Sequence, residues 1–133
     1  MLNNKLKDTA RANLKVLTIE DEAQMSNLLR SILISLGIDS IHNVSNAQDA
    51  VSMYKKLRPA LVFLDIHLGT HSGIDVLGEL KALDTDAYVV MVSGVNTFEN
   101  VKNTLDMGAK GFIAKPFKIN KILEAVENRL KAK

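Results

Sequence analysis

The chain contains four short apolar runs, and each of them ends on polar residues. They are residues 15–19, 61–64, 88–92 and 111–114, which consist largely of β-branched, aliphatic and aromatic side chains. Runs of this length and composition are typical of strands that are buried on both faces of a parallel sheet. A fifth run, residues 38–44, is more polar, which is typical of a strand at the edge of a sheet.

Apolar residues recur at helical spacing after each run and predict five helices. Three of these helices have a capping box at their start, beginning at Asp21, Ser45 and Asn96, with Gln or Glu three residues later. Five successive strand–helix units predict a doubly wound, flavodoxin-like α/β fold, with a five-stranded parallel sheet covered by helices on both faces. The usual strand order is 2-1-3-4-5, which places a crevice between the first and third strands.

Composition and charge narrow the class of protein. The 133 residues include no cysteine, which excludes disulfides and thiolate chemistry within them. There is neither an apolar run of membrane-span length nor an apolar signal core, so we expect a cytoplasmic protein without a membrane partner. A net charge of +2 does not favour direct nucleic-acid binding. We expect a flexible extension over residues 1–13 and one folded domain over residues 14–131.

Polar side chains stand at the points where the predicted strands end. Glu20 and Asp21 follow the first strand, Asp65 follows the third, Ser93 the fourth and Lys115 the fifth. Because the carboxyl ends of parallel strands share one edge of the sheet, we expect these side chains to converge. Oxygen ligands favour Mg²⁺, with Asp21 and Asp65 as direct ligands and Glu20 acting through a water molecule.

The same edge carries the groups that phosphoryl transfer needs. Asp65 has the position of a nucleophile that forms an acyl phosphate. Lys115 supplies a positive charge for a phosphate oxygen, and Ser93 can donate a hydroxyl hydrogen bond to another. Pro116 adds to the pattern, because an X–Pro bond beside a site can be cis and fix the direction of Lys115.

Taken in this order, the strand-end residues resemble those of the receiver domain of bacterial two-component response regulators, the group that includes the chemotaxis regulator. The resemblance covers about residues 14–131. It implies that Glu20 and Asp21 are the acidic pair, that Asp65 is the phosphorylated aspartate, and that Ser93 is the switch hydroxyl. It also implies that Lys115 is the lysine of the family's Lys-Pro-Phe motif.

Further positions follow from the resemblance alone. Phe112 matches the aromatic switch position, and His67 matches the residue whose backbone carbonyl completes the magnesium shell. The family often has proline where this chain has Gly69, which predicts a more mobile loop. His67 and Val95 stand where the family tunes the lifetime of its phosphoryl group.

The function that the resemblance implies is a phosphorylation-dependent signalling switch. A histidine kinase or phosphotransfer protein donates a phosphoryl group to Asp65 with Mg²⁺, and the surface of the fourth helix, fifth strand and fifth helix changes. Partner binding then changes at an output protein or output domain, and phosphorylation-dependent homodimers are a further expectation. Such a protein is not an enzyme beyond its own phosphoryl transfer and dephosphorylation.

Other interpretations stay open from sequence. A small phosphatase with an aspartate nucleophile has a similar sheet, but it needs a second acid where this chain has His67. The chain can also be a receiver fragment of a longer regulator or hybrid kinase, or a receiver used only for docking. A zinc site at His67 and His71 is disfavoured, because no further strong ligand stands nearby in sequence.

Overall fold

The computed structural model describes residues 9–132. Residues 9–12 are helical and lead through Leu14, which is buried, into the first strand. The remainder of the predicted flexible extension, residues 1–8, lies outside the described residues. No helix between residues 9 and 132 has both the length and the apolar character that a membrane span requires.

Five parallel strands form the sheet, and a separate two-stranded hairpin follows the third of them. The sheet strands are β1 (Lys15–Ile19), β2 (Ser40–Val44), β3 (Leu61–Leu64), β6 (Val89–Ser93) and β7 (Gly111–Ala114), and the hairpin strands are β4 (His67–Leu68) and β5 (His71–Ser72). The order in the sheet is β2-β1-β3-β6-β7. This order confirms the predicted 2-1-3-4-5 arrangement, with β6 and β7 as the fourth and fifth strands of the sheet.

Helices connect the strands and cover both faces. They are α1 (Ala23–Ser35), α2 (Ala47–Leu57), α3 (Gly73–Leu83), α4 (Phe98–Asp106) and α5 (Ile119–Lys131). Buried residues of α1 and α5 pack with Val16 and Phe63 on one face of the sheet. Buried residues of α2 and α3 pack with Leu17 and Leu64 on the other. Successive residues of each strand therefore contribute to opposite core layers, as the period of two requires.

The predicted starts of two helices are wrong by one residue. Asn46, and not Ser45, caps α2, and Thr97, and not Asn96, caps α4. In both cases the capping side chain accepts a hydrogen bond from the backbone N–H three residues later. Both capping residues have extended backbone angles, which a capping residue needs, so the chain leaves the extended conformation one residue later than the box predicts.

The hairpin between β3 and α3 was not predicted. His67 pairs with Ser72 and Leu68 with His71 in an antiparallel register, and Gly69 makes the turn with φ = 62°. Strands of two residues are too short to show a period of two in the sequence. The hairpin fixes the path of the chain directly after Asp65.

Gly73, the first residue of α3, lies against the backbone of Asp65. A Cβ atom at position 73 would stand 1.9 Å from the carbonyl oxygen of Asp65 and 2.8 Å from its carbonyl carbon. The N–H of Gly73 also donates a hydrogen bond to the carbonyl of Ile66 at 2.5 Å. Only glycine fits here, because any side chain would displace the strand end that carries Asp65.

We predict that Gly73→Ala lowers the free energy of unfolding by about 3 kcal/mol, because the backbone must move to admit the methyl group. The matched control is Gly78→Ala in the same helix, where the added Cβ meets the mobile end of Met107 at 3.5 Å. This variant should be as stable as the parent or more stable by about 1 kcal/mol, since alanine is the better helix former. Urea unfolding measures both changes. Equal stability of the two variants would contradict the close approach at Gly73.

Candidate functional site

The carboxyl ends of the central strands bring the predicted polar residues to one pocket. Glu20 follows β1, Asp65 follows β3, Ser93 ends β6 and Lys115 follows β7. Glu20 and Asp65 are exposed by only 5% and 4%, and Ser93 is fully buried. Since carboxylates rarely lie so deep without compensating charge, the pocket requires cations.

Four carboxylates of the described residues meet at this edge. Glu20, Asp21, Glu22 and Asp65 each place one oxygen within 4.8 Å of the others. Glu22 was not among the predicted residues. It is the N-cap residue of α1, and its only sequence signal is that it directly follows the predicted acidic pair.

Lys115 supplies the positive charge inside the cluster. Its Nζ lies 3.1 Å from Asp65 Oδ2, 2.5 Å from Glu20 Oε1 and 4.0 Å from Glu22 Oε1. Burial acts to lower the pKa of Lys115, but its hydrogen bonds to Glu20 and Asp65 outweigh burial and raise this pKa. The ammonium is therefore held charged between two buried acids. The Lys115–Pro116 peptide bond is cis.

The carboxyl group of Glu20 binds its proton more tightly than a free glutamate does. Burial raises the pKa of Glu20 from 4.5 to about 7, and the negative charge of Asp65 adds to this rise. The ammonium of Lys115 acts in the opposite direction. A carboxyl group that binds its proton this tightly is poorly compensated, which favours the entry of a further cation.

Backbone N–H groups orient the remaining carboxylates. Gly69 N–H donates to Asp21 Oδ2 at 2.9 Å, and His67 N–H donates to Asp65 Oδ1 at 3.4 Å. Asp21 was predicted to begin the first helix, but the residue that precedes α1 is Glu22, without a side-chain cap hydrogen bond. The prediction is wrong because the carboxylate of Asp21 turns across the crevice to the hairpin. Gly69 thus links the hairpin to the turn that follows β1.

The predicted switch residues lie on neighbouring strands. The hydroxyl of Ser93 accepts a hydrogen bond from Val95 N–H at 3.1 Å. Phe112, on β7, is partly buried and packs against the core layer of α2 and α3. Phe112 is also among the residues that line a cavity of about 140 Å³ between β7 and α5.

The profile of the response regulator receiver domain family matches residues 16–127. The chain belongs to the receiver domain family of response regulators. This membership confirms the family that the strand-end residues resemble.

Individual relatives resemble this receiver domain over most of its length. Chemotaxis protein CheY of Bacillus subtilis (strain 168) is 34% identical over 116 residues, which are 87% of this chain and 97% of the relative. The crystal structure of a CheX–CheY–BeF₃–Mg²⁺ complex from Borrelia burgdorferi shares 32% identity and a TM-score of 0.83, with 86% of this chain and 87% of that chain covered. The receiver domain of NtrX from Brucella abortus shares 30% identity and a TM-score of 0.83, with 90% and 100% covered.

The donor set of this receiver domain fits Mg²⁺. Four carboxylates surround one ammonium, so negative charge is in excess, and every side-chain donor in the cluster is a hard oxygen. Zinc is a poor fit at the hairpin, because the register puts His67 opposite Ser72 and His71 opposite Leu68. Since neighbouring strand residues point to opposite faces, the two imidazoles do not face one ion.

We predict that the side chain of Glu20 titrates near pH 7 when a chelator keeps divalent ions away. Asp65→Asn should lower this pKa because a neighbouring negative charge is lost, and Lys115→Met should raise it because a positive charge is lost. Carbon-13 NMR of labelled glutamate carboxyl groups measures the titration, with the exposed Glu99 as the internal control.

The raised pKa of Glu20 also makes the stability of the folded protein depend on pH. The folded state binds the Glu20 proton more tightly than the unfolded state, so the associated stabilisation is complete below about pH 4.5 and is lost as the pH rises through 7. Relative to Glu20→Gln, the parent should therefore lose stability across this range. A Glu20 titration near 4.5 would contradict the burial argument.

Proposed function

We propose that this receiver domain is a phosphorylation-dependent signalling switch that accepts a phosphoryl group on Asp65. One observation carries the proposal: Lys115 Nζ lies 3.1 Å from Asp65 Oδ2 inside a cluster of four carboxylates. An ammonium held beside a buried carboxylate is placed to neutralise charge on a phosphoryl group that arrives there. Excess acids around the same point supply oxygen ligands for a divalent cation.

The chemical step is a displacement at phosphorus. A carboxylate oxygen of Asp65 forms a bond to phosphorus, while the bond from phosphorus to the imidazole nitrogen of a donor phosphohistidine breaks. The electron pair of that bond leaves with the donor nitrogen. Lys115 exchanges part of its contact with Asp65 for a contact with a phosphoryl oxygen.

Mg²⁺ is the cation that this donor set would hold. In this proposal Asp21 and Asp65 would bind it directly, Glu20 through a water molecule and His67 through its backbone carbonyl. The ion would neutralise charge on the phosphoryl oxygens during transfer. The crystal structure of the similar CheY from Borrelia burgdorferi contains Mg²⁺ and BeF₃, which supports a cation site in this family.

The switch then acts through Ser93 and Phe112. The hydroxyl of Ser93 turns to donate a hydrogen bond to a phosphoryl oxygen, and the ring of Phe112 moves inward. Of the residues of α4, all of which the structure describes, only Thr104 is buried, and Phe98 at its start is 81% exposed. A helix that buries so little is weakly held, so a small change at Ser93 is enough to shift it.

The proposed partners follow from this mechanism. A histidine kinase or phosphotransfer protein donates the phosphoryl group, and an output protein or output domain binds the surface of α4, β7 and α5. Phosphorylation-dependent homodimers on the same surface belong to the proposal, as does a cytoplasmic location. Nothing in the mechanism requires nucleic acid or a membrane.

We predict that incubation with acetyl phosphate and Mg²⁺ adds one phosphoryl group to the parent protein and none to Asp65→Asn. The matched control is Asp39→Asn, because Asp39 is an exposed aspartate just before β2, at the opposite edge of the sheet. Intact-protein mass spectrometry measures the added mass. Phosphorylation of Asp65→Asn would overturn the assignment, and sustained hydrolysis of a phosphomonoester would favour the phosphatase alternative.

We predict that a tryptophan at position 112 reports the switch, since the chain contains no natural tryptophan. In Phe112→Trp, acetyl phosphate and Mg²⁺ should shift the emission to shorter wavelength, because the ring becomes more buried. The double variant Ser93→Ala, Phe112→Trp should still gain the phosphoryl mass but show no shift. An emission shift that persists without the Ser93 hydroxyl would contradict the proposed coupling.

A further inference from the structure

Thr18 is a buried polar residue that the phosphoryl site does not use. It lies on β1, two residues before Glu20, and is 1% exposed. Its Oγ1 donates a hydrogen bond to Asn43 Oδ1 at 2.6 Å, and Asn43 is its register partner on β2. A valine would satisfy both the strand and the apolar layer at this position, so the hydroxyl needs another explanation.

Asn43 in turn contacts the residue that begins the acidic pair. Its Nδ2 donates to the backbone carbonyl of Glu20 at 3.5 Å, while the N–H of Glu20 donates to the carbonyl of Val44 at 3.0 Å. β2 therefore holds Glu20 by both of its backbone polar groups. The side chain of Glu20 is left to reach Lys115.

The hydrogen bonds from Thr18 to Asn43 and from Asn43 to Glu20 indicate a specific role for the Thr18 hydroxyl. An asparagine amide has a donor end and an acceptor end, and it can rotate to present either of them. The hydroxyl of Thr18 donates to the oxygen end, which leaves the NH₂ end facing the Glu20 carbonyl. Without that hydroxyl, the amide is free to turn its oxygen toward the same carbonyl, where the two oxygens repel.

We infer that Thr18 and Asn43 are positioning residues that hold the Glu20–Asp21 turn where its carboxylates meet the cation and Lys115. This inference rests on the proposed function, because it assigns the two residues a role at the proposed Mg²⁺ site. Thr18 acts through Asn43 and touches none of the reacting groups. Asn43, which is exposed on β2, supports the backbone of Glu20 through its amide group.

Three variants test the brace formed by Thr18 and Asn43. Thr18→Val keeps the shape and removes the hydroxyl, Thr18→Ser keeps the hydroxyl, and Asn43→Ala removes the amide. Magnesium titration measures the dissociation constant, hydrogen exchange without Mg²⁺ measures the protection of the Glu20 amide, and urea unfolding measures stability.

Thr18→Val should weaken Mg²⁺ binding by about fivefold and speed the exchange of the Glu20 amide by a similar factor, since the hydrogen bond that orients the Asn43 amide is lost. Its stability should be unchanged or higher, because a methyl group replaces a buried hydroxyl. Thr18→Ser should retain the parent's Mg²⁺ affinity. Asn43→Ala should match Thr18→Val, and the double variant should be no worse than either single variant.

The brace is overturned if Thr18→Val binds Mg²⁺ as the parent does and leaves the exchange of the Glu20 amide unchanged. It is also overturned if Thr18→Ser loses as much affinity as Thr18→Val, since the hydroxyl is then irrelevant. If the parent itself binds no Mg²⁺, the proposed function fails instead. Hydrogen exchange of the Glu20 amide, which is measured without Mg²⁺, still decides whether Thr18 and Asn43 hold Glu20 in place.

Discussion

One ammonium between buried carboxylates is the interaction on which the site depends. Lys115 lies within 3.1 Å of both Glu20 and Asp65, and all three side chains are largely withdrawn from water. Removing Lys115 leaves two buried carboxylates without their cation, which is costly in a folded protein. The arrangement is therefore a local electrostatic balance that still carries an excess of negative charge. That excess of negative charge is what a divalent cation would compensate.

The parallel sheet is what makes this balance possible. Glu20, Asp65 and Lys115 are separated by up to 95 residues in the chain, but each follows a strand of the same sheet. Because the strand order places β1 beside β3 and β7 two strands further, their carboxyl ends open on one crevice. Packing on both faces fixes the strands, and the closeness of Gly73 to Asp65 then fixes the end of β3. The core thus determines where the charges stand, and the charges determine what the pocket binds.

The sequence predicted the sheet and the residues at its strand ends because both depend on short-range pattern. Apolar runs that stop on polar residues mark strands and their ends, and the strand order follows from general topology. The start of α1 was predicted wrongly at Asp21 because the same carboxylate can cap a helix or accept a hydrogen bond across the crevice. Only the folded chain, which brings Gly69 to it, decides between these.

Other features left too little signal in the sequence. The β4–β5 hairpin is too short for periodicity, and Glu22 joins the acidic cluster through its place at the N-terminus of α1. Thr18 looks like an ordinary strand residue, since threonine is a good β-former. Its partner Asn43 is set by the register between β1 and β2, which the residue pattern alone does not specify. These are tertiary contacts, and the linear pattern does not encode them locally.

The central claim, that Lys115 neutralises the charge that arrives at Asp65, is tested most directly by the rate of phosphorylation from acetyl phosphate in the presence of Mg²⁺. Lys115→Met is compared with Lys118→Met, which removes an exposed ammonium three residues away at the start of α5. We predict that Lys115→Met slows incorporation by about a hundredfold, as expected when a preorganised charge is lost at the transition state, while Lys118→Met matches the parent. Equal rates in the two folded variants would contradict the account.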